Sequence, residues 1–484
     1  MVVIMKKYST TFLLTTFITL LLFSYFTSAD NNTPELGDPY SSTLPLKDED
    51  IIGLATYRRL QQYDYINNDP LVISYVNYLG NLLSRNVLDT KRKYNFFVVN
   101  SNDVNAFAVP GGYIGLNSGL IKLTKNEAQL AGVIAHEISH IKLRHSAEMI
   151  ASSNMNSISM WVGIIAGIFA GNTEASLAAF KLGLGQTAQA NIDLIRANEV
   201  EADGYAVDIM YKSNYSINEM ANFFYDMQNA TGEIQRNLAY LSTHPMYENR
   251  IANIKNRSVK QNNALKNTTD DYIFIKNILS SETIDDINYS IKRLDNKDKY
   301  TAHKLSLLYF KKSDYKNAHK AIYQHYKKNQ DNLYLSILFA KILANQNDVD
   351  GALTVLNHVK NIYPLNSVVS LSIAEILIEN NKNLNYAEKL LEPLKSHYSL
   401  NPNYLRLLSK LHTMRNNYYK SAMSLSDYYV LLGEVKVALE VIDNSIKSDK
   451  ISSLRKQILE KKKLSIICSG PRPLEPIFGE KTCN

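Results

Sequence analysis

His136-Glu137-Ile138-Ser139-His140 sets two imidazoles four residues apart with a carboxylate beside the first. On an α-helix that spacing puts both rings on one face, one turn apart, so both can direct a nitrogen at a single cation. Zinc takes neutral imidazoles and in catalytic sites keeps one position for water, whose proton a neighbouring carboxylate can accept during attack on a peptide carbonyl. Glu137 is placed to be that carboxylate, and the chemistry read from the spacing is metal-assisted hydrolysis. A five-residue pattern with three fixed positions also arises by chance, so its surroundings decide.

Those surroundings favour a metal. Before residue 300 the only histidines are His136, His140, His145 and His244, so the motif does not come from a histidine-rich background. Downstream, Asn198-Glu199-Val200-Glu201-Ala202-Asp203 opens a further helical stretch in which Glu199 and Asp203 share a face. A carboxylate from a second helix is a common third zinc ligand, a role for Glu199, and Asp203 one turn later can hold a ligand imidazole by accepting its other N–H. Glu201 points about 160° away from that face and is not read as a ligand. Ser146 stands where a metzincin would need its third histidine, and position 143 is not glycine, which excludes that subclass. His145 misses the register, points away from the pair and reads as structural.

The elements that must position these groups follow from periodicity. Leu130, Val133, Ile134, Ile138 and Ile141 recur at helical intervals through 127–149 and put the motif in mid-helix. Ahead of it, 51–62 and 71–83 read as helices, 94–100 as a strand and 106–116 as a further extended segment. Residues 158–171 are apolar on all sides yet too short to span a bilayer; they read as a buried helix or a cover over the site, with a membrane-touching hairpin as the alternative. The polar stretch 261–299 reads as a linker with connecting helices. Beyond it Ala318, Ala352, Ala387 and Ala422 recur at spacings of 34, 35 and 35 residues, the period of tetratricopeptide repeats, clearest where Phe339, Ala340, Leu343, Ala352, Leu356 and Pro364 fall in place.

The 484 residues carry a formal charge of +7, with basic residues dispersed along the chain and no basic stripe with stacking aromatics, so nucleic acid is not an expected partner. Lys6 and Lys7, the apolar stretch 12–26 and Thr27-Ser28-Ala29 form a signal peptide over 1–29, followed by a linker over 30–47. Export makes pairing of the only cysteines, Cys468 and Cys483, the expectation for the tail at 451–484. The expected fold is mainly α: a zincin-type peptidase domain with a small β-sheet over 48–260, then an α-solenoid of repeats over 300–450.

Four motifs in order, Asn105-Ala106-Phe107-Ala108-Val109-Pro110-Gly111-Gly112, then HEISH, Glu199-x-x-x-Asp203 and Thr243-His244-Pro245, resemble the zinc peptidase family that includes the heat-shock membrane protease and the CAAX prenyl proteases. The resemblance implies one zinc per chain held by His136, His140 and Glu199, with Glu137 as general base and Asp203 behind a ligand. It places Asn105 on a substrate-binding edge strand, with 106–116 as the exposed edge to which an extended peptide adds. It puts His244 near the metal, either polarising the substrate carbonyl or filling the fourth zinc position at rest. With a signal peptide ahead and repeats behind, the likeness extends to periplasmic members of that family in Gram-negative bacteria. It implies quality control of unfolded or misassembled outer-membrane β-barrel proteins, the repeats docking substrate or the barrel-assembly machinery. The competing expectation is a repeat-based chaperone or adaptor whose metal site is silent; the presence of Glu137, which ligation alone does not require, favours the enzyme.

Overall fold

The computed structural model describes residues 40–87, 92–151, 188–230, 239–247, 249–258, 261 and 265–468. The signal peptide, the apolar segment 158–171 and Cys483, and with it the expected pairing to Cys468, lie outside the described residues.

Two helices precede the sheet, α1 (Leu46–Gln62) and α2 (Pro70–Ser84). The second begins where Asp69 accepts the Leu71 N–H at 2.8 Å and Pro70 supplies a helical φ. The sheet has three strands, β1 (Asn95–Val99), β2 (Ala106–Val109) and β3 (Tyr113–Asn117), in the order β1-β3-β2. β3 runs parallel to β1, with Asn95 opposite Tyr113, and antiparallel to β2, with Ala106 opposite Leu116.

The sequence reading of 106–116 as one extended edge segment is therefore corrected: it is a hairpin. Gly111 and Gly112 both take φ 82°, which only glycine adopts freely, and a Cβ on Gly112 would lie 2.1 Å from the Lys93 carbonyl oxygen. β3 is consequently central, and only β2 is an edge. The far edge of β1 is occupied by the 65–67 loop, through the Asn67 N–H to Val98 O (2.9 Å) and the Asn100 N–H to Tyr65 O (2.7 Å). β2 is the last strand of the sheet on its side.

After α3 (Ser118–Leu123) comes the motif helix α4 (Glu127–Lys142), whose residues from Glu127 through Ser139 are all buried. It runs between α2 and the sheet on one side and two later helices, α6 (Ala188–Lys212) and α7 (Ile217–Gln228), on the other. Such enclosure needs close approach, and Gly132 provides it: a Cβ there would sit 2.7 Å from Met220 Cβ. The first residue of α4 is a buried carboxylate that forms no ion pair among the described residues. Glu127 instead accepts hydroxyls from Tyr215 (2.6 Å), Tyr75 (3.0 Å) and Thr269, while the Ala128 N–H donates to Asn267 O at 2.9 Å.

The helix expected to run on to residue 149 ends at Lys142. Arg144 takes φ 57°, held there by its guanidinium on Glu49 Oε1 (2.7 Å), and α5 (His145–Ala151) starts in a new direction. Behind α7 follow the short α8 (Tyr240–Thr243), then α9 (Arg250–Ser258) and α10 (Asp270–Glu282). Although 261–299 reads as a connection, α10 buries Tyr272, Phe274, Ile275 and Leu279 in the core shared with the peptidase helices.

Past α11 (Ile287–Arg293) the chain forms helix pairs: α12 (Lys299–Lys311) with α13 (Tyr315–Lys328), α14 (Leu333–Asn345) with α15 (Val349–Ile362), and α16 (Ser367–Glu379) with α17 (Leu384–Leu391). The short α18 (Lys395–Tyr398) leads to the pair α19 (Pro402–Met414) and α20 (Tyr418–Leu431), then to α21 (Val435–Lys447) and α22 (Ser453–Cys468). Ala318, Ala352, Ala387 and Ala422 each sit buried in the second helix of a pair, where a larger side chain would hold the helices apart. The turns repeat as well: Ser313, Asn347, Asn381 and Asn416 all take positive φ, a conformation that asparagine tolerates better than most residues.

His303 on α12 packs edge-on against Phe274 of α10, with ring centroids 4.9 Å apart, its Nδ1 buried without a partner. Burial pushes its pKa down to about 3. A depressed histidine contributes stability that is complete above the unfolded-state value near 6.5 and is lost as pH falls towards the folded one. Between pH 6.5 and 4.5 the loss from this residue is about 2–3 kcal/mol. His303→Leu should therefore show a smaller drop in Tm from pH 7 to pH 5 than wild type; an equal drop in both proteins would rule His303 out as an acid trigger.

Candidate metal centre

The helical step that spaced His136 and His140 does what the sequence requires: their Nε2 atoms lie 3.0 Å apart. Glu199 reaches them from α6, with Oε2 at 3.3 Å from His136 Nε2 and Oε1 at 3.3 Å from His140 Nε2. His244, immediately after α8, closes the group, its Nδ1 at 2.9 Å from Glu199 Oε1 and 3.3 Å from His136 Nε2. One donor atom from each of the four falls within 4.8 Å of all the others. A tetrahedral ion with ligands at about 2.0–2.1 Å has edges of about 3.3 Å, so the donor set fits a small divalent cation. Three imidazole nitrogens and a carboxylate facing one point cannot satisfy each other by hydrogen bonding alone, which is a second mark of a cation site.

The surroundings hold this set in place. Asp203, one turn beyond Glu199 on α6, sets Oδ1 at 3.0 Å from His136 Nδ1, while His136 Nε2 faces the other members of the cluster. Arg250, the first residue of α9, is 1% exposed and ties the two carboxylates together: Nε to Asp203 Oδ2 at 2.7 Å and NH1 to Glu199 Oε2 at 3.0 Å. Its guanidinium lies over the Phe224 ring at 4.3 Å. Tyr240 stacks on His244 with centroids 4.4 Å apart, and its N–H donates to Val104 O at 2.9 Å, linking the His244 turn to the chain entering β2.

Charge in the site follows from these contacts. Burial disfavours a charged His136, but Glu199 and Asp203 outweigh it and lift its pKa to about 9. Burial likewise opposes ionisation of Glu199, yet the His244 and His136 rings hold it well below the usual carboxylate range. Asp203 is held down against burial by Arg250 and His136. Glu137 goes the other way: burial raises its pKa, and the nearby His140 and His136 rings only partly counter this. Both of its oxygens are buried without a hydrogen-bond partner, with His244 Nε2 3.4 Å from Oε1. A carboxylate made more basic and left unpartnered beside a cation site is suited to accept a proton from water.

Three sequence expectations meet the structure differently. His145 does not point away: its Nδ1 lies 2.8 Å from His140 Nδ1, because the left-handed Arg144 swings α5 back over the ligand helix. It remains outside the ligand cluster and supports His140 as Asp203 supports His136. Glu201, whose side chain is 60% exposed, lies 3.4 Å from His145 Nε2. Asn105 lies just ahead of β2, outside the cluster, with its carbonyl accepting the Asn117 N–H at 2.9 Å and its Oδ1 buried without a partner. Arg250 and Tyr240 were not singled out from sequence at all, and no periodicity links either to the motif helix.

Residues 76–258 match the model of peptidase family M48. This stretch resembles an M48 peptidase domain. All four members of the cluster fall inside the matched range, and the domain is that of a metallopeptidase. Over nearly its full length the chain is similar to the β-barrel assembly-enhancing protease of Shigella flexneri, at 26% identity over 447 residues, covering 89% of this chain and 90% of that protein. A putative β-barrel assembly-enhancing protease of Vibrio cholerae is 32% identical over 228 residues, 46% of this chain and 47% of that protein. A mitochondrial metalloendopeptidase of Schizosaccharomyces pombe is 31% identical over 163 residues, 34% of this chain and 46% of that protein. The M48 match spans residues 76–258, whereas the similarity to the first of these relatives takes in about nine-tenths of the chain.

Proposed function

We propose that the chain is a periplasmic zinc endopeptidase that degrades unfolded or misassembled outer-membrane β-barrel proteins. The observation that carries this is the convergence of His136, His140, Glu199 and His244 on one point with the unpartnered Glu137 alongside. His136, His140 and Glu199 would hold one zinc ion, with His244 close enough to be a fourth donor at rest. Zinc, when bound, supplies Lewis acidity to the reaction. Asp203 and His145 orient the ligand imidazoles, Arg250 keeps Asp203 ionised and aligns both carboxylates, and Glu137 takes the proton of the attacking water and returns it to the leaving amine. An extended substrate segment adds to β2, backbone to backbone, beside Asn105.

The name borne by relatives that match about nine-tenths of the chain supports the outer-membrane substrate class. The period of 34 and 35 residues between buried alanines supports tetratricopeptide repeats, which would dock substrate or the barrel-assembly machinery. Among the described residues no helix is long and apolar enough to cross a membrane. The test is zinc content and casein hydrolysis of the purified mature chain. About one zinc per chain with measurable cleavage supports the reading, and a folded chain that binds no zinc ends it. His244→Ala should raise casein hydrolysis several-fold by freeing the fourth direction; a comparable fall would assign His244 to the substrate carbonyl instead.

A further inference from the structure

The first helix pair carries a surface that proteolysis does not use. α13 turns Lys316, His319, Lys320, Tyr323, Gln324 and Lys327 to one side, at steps of three and four residues. His319 is half-buried and the other five are exposed. The helix contains no Asp or Glu. Asp314, the nearest acid in sequence, is engaged at the N-cap, accepting the Asn317 N–H at 3.1 Å. Among the described residues no carboxylate forms an ion pair with Lys316, Lys320 or Lys327.

The other helix pairs show what this face lacks. Aligned on the buried alanines, the same surface of α15 has Asp350, that of α17 has Glu388 and that of α20 has Asp427. Each of these acids takes a lysine from further along the chain: Asp350 with Lys382 (2.8 Å), Glu388 with Lys420 (3.1 Å) and Asp427 with Lys462 (2.5 Å). Carboxylates on this surface join one helix pair to the next. In α13 the links to Gln346 are neutral, His319 Nδ1 with its Oε1 at 3.0 Å and Tyr315 O accepting from its Nε2 at 3.2 Å, and the lysines are left over. Lys316 and Lys320 sit four apart on the helix, a like-charge pair that weakens an isolated helix.

We infer that this face of α13 binds an anionic lipid surface. The lysines run about 16 Å along the helix from Lys316 to Lys327, a row that meets several headgroup phosphates at once. A shallow recess lined by Lys316, His319, Lys320, Tyr323, Gln324 and Gln346 offers cations and neutral donors to one phosphate. Tyr323, 38% exposed among the lysines, has the amphipathic ring favoured at headgroup level. The face lacks the large apolar anchor that the centre of a protein interface uses, which favours lipid over an acidic protein. This contact lies apart from the metal centre and does not depend on the peptidase reading.

The test is sedimentation of the full mature chain with vesicles of phosphatidylethanolamine containing phosphatidylglycerol, against vesicles of phosphatidylethanolamine and phosphatidylcholine. Wild type should sediment with the anionic vesicles alone and be released by high salt. The triple substitution Lys316→Glu, Lys320→Glu, Lys327→Glu should lower its vesicle affinity roughly tenfold or more. Its circular dichroism and casein hydrolysis should equal those of wild type, separating loss of lipid contact from loss of fold. Failure of wild type to bind anionic vesicles, or equal binding by the triple variant, overturns the inference. Loss of an acidic protein partner by the variant, without any vesicle binding by wild type, would give the face to that protein instead.

Discussion

Glu137→Gln will keep the metal and lose the reaction. Glutamine preserves the volume of a side chain whose two oxygens are fully buried beside the ligand cluster, and it is not itself a donor in that cluster. What it cannot do is accept a proton. General-base catalysis is worth roughly 10²–10⁴-fold, so casein turnover should fall by about 10³ with zinc content and thermal stability close to wild type. The variant also separates enzyme from adaptor: if hydrolysis stays within about tenfold of wild type, Glu137 is not the proton acceptor. If wild type binds zinc and cleaves nothing, the helix pairs become the working part.

The second large effect falls on Arg250, which touches both Glu199 and Asp203 from a fully buried position. Arg250→Met leaves two buried carboxylates facing each other across His136. Removing one partner of a buried ionic group costs about 3–5 kcal/mol, which a denaturant titration would read as a lower midpoint. Metal affinity should fall as well, by roughly 10–100-fold, because Asp203 loses the contact that aims it at His136. Arg250→Lys should recover only part of either loss, since one ammonium cannot span both carboxylates in the manner of the guanidinium fork. Wild-type stability in Arg250→Met would mean that the carboxylates need no cation there.

What could be read in the sequence was whatever a helix repeats every turn. His136 with His140, and Glu199 with Asp203, are four-residue relations, and the structure brings all four side chains together. His145 was misread because the intervening Arg144 takes a left-handed conformation that its residue type does not advertise; a buried contact to Glu49, nearly a hundred residues upstream, holds it there. The hairpin in 106–116 was visible in Pro110-Gly111-Gly112, and the β propensity on either side obscured it. Arg250 and Tyr240 depend on where a loop returns in space, and no local pattern encodes that. The cationic row on α13 illustrates the reverse case: lysines that look dispersed along the chain gather once helical pitch and the positions of the carboxylates are known.

The Glu127 contacts bear on how the molecule must be divided. The helix presenting the metal ligands begins at a buried carboxylate whose hydroxyl partners include Thr269, and its second N–H donates to Asn267. Both lie beyond the matched M48 range, which stops at residue 258. The metal-bearing helix is thus capped by the very strand of chain that leads into the helix pairs, and α10 completes the core beneath it. A fragment cut at residue 258 would keep His136, His140, Glu199 and His244 and lose Asn267 and Thr269, which close the first turn of α4, so it should unfold at a lower denaturant concentration than the full chain.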